Sequence, residues 1–144
     1  MTTLTIGSVT LQGVGGPEGS GSDLHWEDEY AAGSDLVGQD ERVTITGALV
    51  IQASAQQAGR RMTLVGGSEG NSYWGCITRT EVEALRALAA VPGAVYTVVL
   101  PDGRSFDAVF RRDGGAAVEA TPLQVKTPMA AGDLYLPTIR LVLV

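Results

Sequence analysis

Short alternating runs of apolar and polar residues, broken by glycine-rich stretches, set the pattern of this chain. Thr3 to Thr10 alternates and carries β-branched residues, which predicts one short strand or two joined at Gly7–Ser8. Leu24-His-Trp-Glu-Asp-Glu-Tyr30 puts Leu24, Trp26, Asp28 and Tyr30 on one side of an extended segment. The clearest period of two runs from Arg42 to Ser54. Val43, Ile45, Leu49 and Ile51 share one face there, Val50 lies on the other, and Gly47 is expected as a bulge or a close backbone approach. Arg61 to Val65 begins a further strand that ends at a Gly66–Gly67 turn. Residues 68–72 read as loop, and Tyr73 to Ile77 as a short strand or a lead-in to the next element.

The period then changes to that of a helix. Thr78 to Ala90 contains two overlapping capping boxes, Thr78 with Glu81 and Thr80 with Glu83. Val82, Leu85, Leu88 and Ala89 recur at three and four and predict one buried stripe, with Glu81, Glu83 and Arg86 mostly outside. Pro92-Gly93 stops the helix. Ala94–Leu100 and Ser105–Arg111 flank Pro101-Asp-Gly-Arg104, the strongest hairpin signal in the chain. Residues 117–121 read either way and 122–128 as irregular. Asp133 to Val144 is a strand in which Pro137, lacking an N–H, belongs early, at a bulge or on an edge. The expected fold is mostly β: a single-domain β-barrel or split barrel of six to eight strands over residues 1–144, with one α-helix at about 79–90.

Composition sharpens this picture. Nineteen Gly and six Pro among 144 residues favour a turn-rich β fold over a helical bundle. The net charge of −6 disfavours a general nucleic-acid binder, which needs a basic footprint. The charge is also unevenly placed, because residues 1–41 hold eight acids and no Lys or Arg. A Gly-rich acidic loop or arm is expected at about 13–41, either solvating or docking on a basic neighbour. The N-terminus reads as a strand rather than a signal peptide, and no run approaches the roughly 20 apolar residues of a membrane span.

Catalytic chemistry is hard to assemble from these residues, and no enzyme activity or cofactor is expected. His25, the one histidine, sits among acids without a matched nucleophile. Asp23, His25, Glu27 and Glu29 share a strand face by spacing, but no second cluster completes a metal shell, so no metal site is expected. Cys76 is the sole cysteine. Its apolar neighbours favour buried packing over a thiolate activated by the helix start. Trp26, Tyr30, Trp74 and Tyr135 are candidate packing or inter-subunit anchors. Arg61, Arg111 and Arg112, with Arg60, are candidate partners for the acidic segment of the same or a neighbouring chain.

The order of Gly59-Arg-Arg-Met-Thr-Leu-Val-Gly-Gly67, Trp74-Gly-Cys-Ile77, the helix, Tyr96-Thr-Val-Val-Leu-Pro-Asp-Gly-Arg104, Phe106-Asp-Ala-Val-Phe-Arg-Arg112 and Asp133-Leu-Tyr-Leu-Pro-Thr-Ile-Arg-Leu141 resembles small distal tail or baseplate-associated proteins of bacteriophages with long, non-contractile tails, in their barrel domain. The resemblance covers roughly residues 40–144. It implies a structural, non-catalytic protein that forms a homo-oligomeric ring, a hexamer, between the tail tube and the baseplate hub or tip proteins. DNA would pass through the lumen without specific binding. The location implied is the virion tail, and the host cytoplasm during assembly, with no membrane insertion. Related tail-tube and joining proteins share the scaffold. The alternative reading is a small carbohydrate- or peptide-binding β module that displays Trp26, Tyr30, Trp74 or Tyr135 to solvent.

Overall fold

The structure is a computed structural model that describes residues 3–11, 24–31, 35–69 and 72–144. The expected Gly-rich segment 13–23, with Asp23, lies outside these residues. In chain order the strands are β1 (Leu4–Ile6), β2 (Val9–Leu11), β3 (His25–Trp26), β4 (Val37–Val43), β5 (Leu49–Ala55), β6 (Arg61–Val65), β7 (Gly67–Glu69), β8 (Ser72–Trp74) and β9 (Ile77–Thr78). Helix α1 (Arg79–Ala89) follows, then β10 (Tyr96–Val99), β11 (Ser105–Phe110), β12 (Val118–Pro122) and β13 (Leu134–Leu143). The fold is mostly β with one helix, as expected. Among the described residues thirteen strands replace the expected six to eight, because several are only two or three residues long.

Nine strands form the main sheet, in the order β2-β1-β10-β11-β13-β6-β3, with β12 and β9 also paired to β13. This order does not return on itself, so among the described residues the sheet is open. One face is a row of apolar partners across neighbouring strands: Ile6 opposite Val98, Val98 opposite Phe106, Phe110 opposite Leu141, Leu141 opposite Met62, and Leu64 opposite Trp26. Residues directly opposite in an antiparallel pair share a face, so this register fixes the core side.

Helix α1 covers that core with Val82, Leu85 and Ala89. Its N-cap is Thr78, whose side-chain oxygen accepts from the Glu81 N–H at 3.3 Å. Thr80 is used differently, its hydroxyl donating to Ala131 O. Two further N–H groups of the first turn are satisfied by Asp133 O and Ala131 O. Glu81 is half-buried rather than outside. Burial pushes its carboxyl above the ordinary glutamate range, and the Thr78 backbone N–H pulls it partly back.

Pro137 is the fourth of ten residues in β13, early in the strand as expected, but its side chain is buried and β13 lies inside the sheet rather than at its edge. The reason is local. Along one flank of β13, β9 pairs residues 134–135 and β6 pairs residues 138–142, so Pro137 occupies the gap between two partners. Its carbonyl accepts from the Gly66 N–H at 3.0 Å. Gly66 itself must be glycine: a Cβ there would lie 2.7 Å from Gly75 O and 2.9 Å from Pro137 Cδ. Gly67 lies in β7 rather than in a turn, opposite Trp74 of β8, whose indole occupies the space that a side chain would need.

Candidate assembly surfaces

Residues 42–54 do not form one strand with a bulge at Gly47. They fold as the turn and second half of a hairpin, β4–β5, whose first strand lies in the stretch expected as an acidic connection. Thr44 N donates to Ala48 O at 2.8 Å, Gly47 N donates to Thr44 O at 2.9 Å, and Gly47 takes φ +87°. A tight turn closed by a left-handed residue explains why glycine stands there. Gln56 N donating to Leu36 O extends the pairing at the base.

This hairpin forms a two-stranded sheet of its own. Its register gives it two unlike faces. Val37, Gln39, Glu41 and Val43 stand opposite Ala55, Ala53, Ile51 and Leu49, making one apolar face interrupted by a single amide and a single carboxylate. The other face carries Gly38, Asp40 and Arg42 opposite Ser54, Gln52 and Val50, with an Arg42–Asp40 ion pair at 3.2 Å. The apolar face is uncovered: Val43 is 72% exposed, Leu49 58% and Ile51 53%, and Ile45 at the tip is fully exposed. A lone hairpin is marginal in water, and a contiguous exposed apolar face is the mark of an interaction surface.

The residues singled out from the sequence are dispersed. Trp26 is buried, with the guanidinium groups of Arg60 at 4.5 Å and Arg104 at 5.6 Å over its ring and Phe106 edge-on to it. Trp26 is therefore a packing anchor and offers no platform to a ligand. Trp74 is half-buried on Gly67 and edge-on to His25, Tyr135 is half-buried on β13, and Tyr30 is almost fully exposed. The four rings do not converge on one surface.

Arg61, Arg111 and Arg112 are engaged within their own chain by partners outside the acidic segment. Arg61 and Arg111 both pair with Asp113 at 3.0 Å, and Arg111 also donates to Thr63 Oγ1. Arg112 donates to Ala89 O at the C-terminal end of α1, where a cation suits the helix dipole. The acidic segment meets its own chain through other residues. Glu29 accepts from Arg104 at 3.0 Å and, through its carbonyl, from Arg60, while Asp28 accepts from Trp26 and Thr63.

The proposed strand-face cluster around His25 is broken by a turn after Trp26. His25 and Glu27 are exposed, and Glu29 points to Arg104. Among the described residues no group of three or more His, Cys, Asp or Glu side chains is placed to hold a metal. Cys76 is fully buried, and desolvation raises its thiol pKa, the opposite of activation. No helix among the described residues is long and apolar enough to cross a membrane.

Beside α1 runs a groove. A hollow of about 420 Å³ lies between its C-terminal half and residues 115–118, and a second of about 220 Å³ continues toward Met129 and Tyr135. Strand β12 bounds this groove, paired with β13 on one side and, among the described residues, with no strand on the other.

Comparison with protein-family models, curated proteins and solved structures finds no match for the chain. The function therefore has to be argued from these surfaces.

Proposed function

We propose that this protein is a structural subunit of a long-tailed bacteriophage particle. In this reading copies of the chain assemble into a ring of about six, between the tail tube and the baseplate or tip. The observation that supports it best is the β4–β5 hairpin, an amphipathic arm whose apolar face is uncovered among the described residues. An uncovered apolar face and two open sheet edges are liabilities in a monomer and assets in a closed oligomer. The open main sheet fits the same reading, since strands from neighbours would complete the barrel that one chain leaves open. The ring's acidic surface would repel DNA passing through its lumen.

The test is native mass by light scattering coupled to size exclusion over a tenfold concentration range, with negative-stain microscopy of the same fractions. Annular particles of about six chains are the expected result. A strict monomer throughout that range overturns the proposal. A monomer that retains a saccharide would transfer support to the carbohydrate-binding alternative.

A further inference from the structure

The arm and the groove beside α1 carry complementary features on different faces of one molecule. Residues 35–55, which contain the hairpin, hold Asp35, Asp40, Glu41 and Arg42, a net charge of −2. The two hollows of the groove are lined by Arg79, Arg86, Arg112 and Glu83, a net charge of +2. Most of these charges are already engaged within their own chain. Arg42 holds Asp40, Arg79 donates to Met129 O, and Arg112 donates to Ala89 O.

Two are left over. Glu41, in the middle of the apolar face, contacts only the amide of Gln39, at 2.8 Å. Arg86 makes no side-chain hydrogen bond or ion pair among the described residues, and it lines both hollows, at their junction. Around Arg86 the groove wall mixes apolar Val82, Val118, Ala120 and Met129 with charged Arg79 and Glu83. An apolar strand face carrying one carboxylate thus complements a groove of net charge +2, in which Arg86 has no partner among the described residues.

We infer that, within the self-assembly proposed above, the apolar face of one chain's β4–β5 hairpin seats in the α1–β12 groove of a second copy, with Glu41 against Arg86. The contact joins two different surfaces, so it is head-to-tail. Such a contact propagates from copy to copy and closes into a ring when its rotation divides a full turn. Burying an ion pair within an apolar contact chiefly fixes register and rejects wrong partners, which a repeating assembly requires.

The experiment is the concentration dependence of native mass for the full-length wild type and for Glu41→Arg, Arg86→Glu, the double swap, and Ile51→Asn. Both charged residues are exposed, so melting temperature serves as the folding control. Each single reversal is expected to weaken association about tenfold or more, and the double swap to restore it to within about threefold. If Ile51→Asn abolishes association but Arg86→Glu leaves it intact, the groove is not the hairpin's seat, although self-assembly stands. Failure of the double swap to rescue also overturns the pairing. A wild type that never associates removes the groove contact and the assembly reading together.

Discussion

Asp28 holds Thr63 by two atoms at once: Oδ1 accepts from the Thr63 backbone N–H and Oδ2 from its hydroxyl, both at 2.9 Å. Asp28 Oδ1 also accepts from Trp26 Nε1 at 2.9 Å, and Arg111 donates to the same Thr63 hydroxyl. One carboxylate thus fastens the turn after β3 to β6 and orients the buried indole. Replacing Asp28 by Ala leaves the buried Thr63 without its acceptors and should cost about 2–3 kcal/mol. Urea unfolding checks this, and Asp28→Asn should recover part of the loss.

Hairpin substitutions should behave in the opposite way. Leu49→Asn and Ile51→Asn change residues that are more than half exposed, so the folded chain should lose no more than about 0.5 kcal/mol. Self-association should nevertheless fall sharply. Calorimetry and light scattering on the same samples separate the two effects.

Gly66→Ala places a methyl against the Gly75 carbonyl and the Pro137 ring, neither of which has a rotamer to escape into. A loss of about 2 kcal/mol or more is expected by urea unfolding. Gly47→Ala has open space around it but must adopt φ +87°, so its cost should be nearer 1 kcal/mol and confined to the hairpin.

Glu81 gives a pH signature. Its folded-state pKa is raised by burial, so the folded state favours the protonated form, and the ionised side chain is a penalty once pH exceeds that pKa. Glu81→Gln removes the charge while keeping a residue suited to the capping box, and should raise the melting temperature at neutral pH. Its advantage should shrink as pH falls through the Glu81 titration. Asp133 has the opposite sign. The Ala130 N–H and Lys126 ammonium lower its pKa, so its contribution is present above the ordinary aspartate range and is lost as pH falls through its folded value. Melting curves of wild type, Glu81→Gln and Asp133→Asn between about pH 3 and 7 should diverge in these two senses.

Cys76 should resist alkylation at neutral pH in the folded chain, because its sulfur is buried and its thiol is pushed toward the protonated form. Labelling should become rapid only in denaturant, and mass spectrometry against time reads this directly. Fast labelling under native conditions contradicts the core placement of Cys76.

Local rules were enough for the elements whose signals are local. The capping box, the stripe through Val82, Leu85 and Ala89, and the Pro92-Gly93 stop define α1 because they depend only on neighbours within four residues. The Pro101-Asp-Gly-Arg104 reversal is written in the same way, with Gly103 at φ +97° and its N–H on Leu100 O. The alternation of 42–54 correctly indicated extended backbone, but the same alternation continues through a hairpin turn, so period alone hid the fold-back at Gly47. The acids of 35–41 concealed β4 for a similar reason: a strand with one wet face and one uncovered face has no continuous apolar run.

Sequence by itself determined the mostly β character, the single helix and the excess of acid at the front of the chain, because composition and short-range spacing carry that information. Only the tertiary structure decided that Trp26 is buried with two arginines over its ring, that Pro137 sits in a gap between β9 and β6, and that one hairpin stands uncovered among the described residues while a groove lies beside α1. Each of those facts depends on contacts between residues distant in the chain, and burial is a property of the register and topology that bring them together.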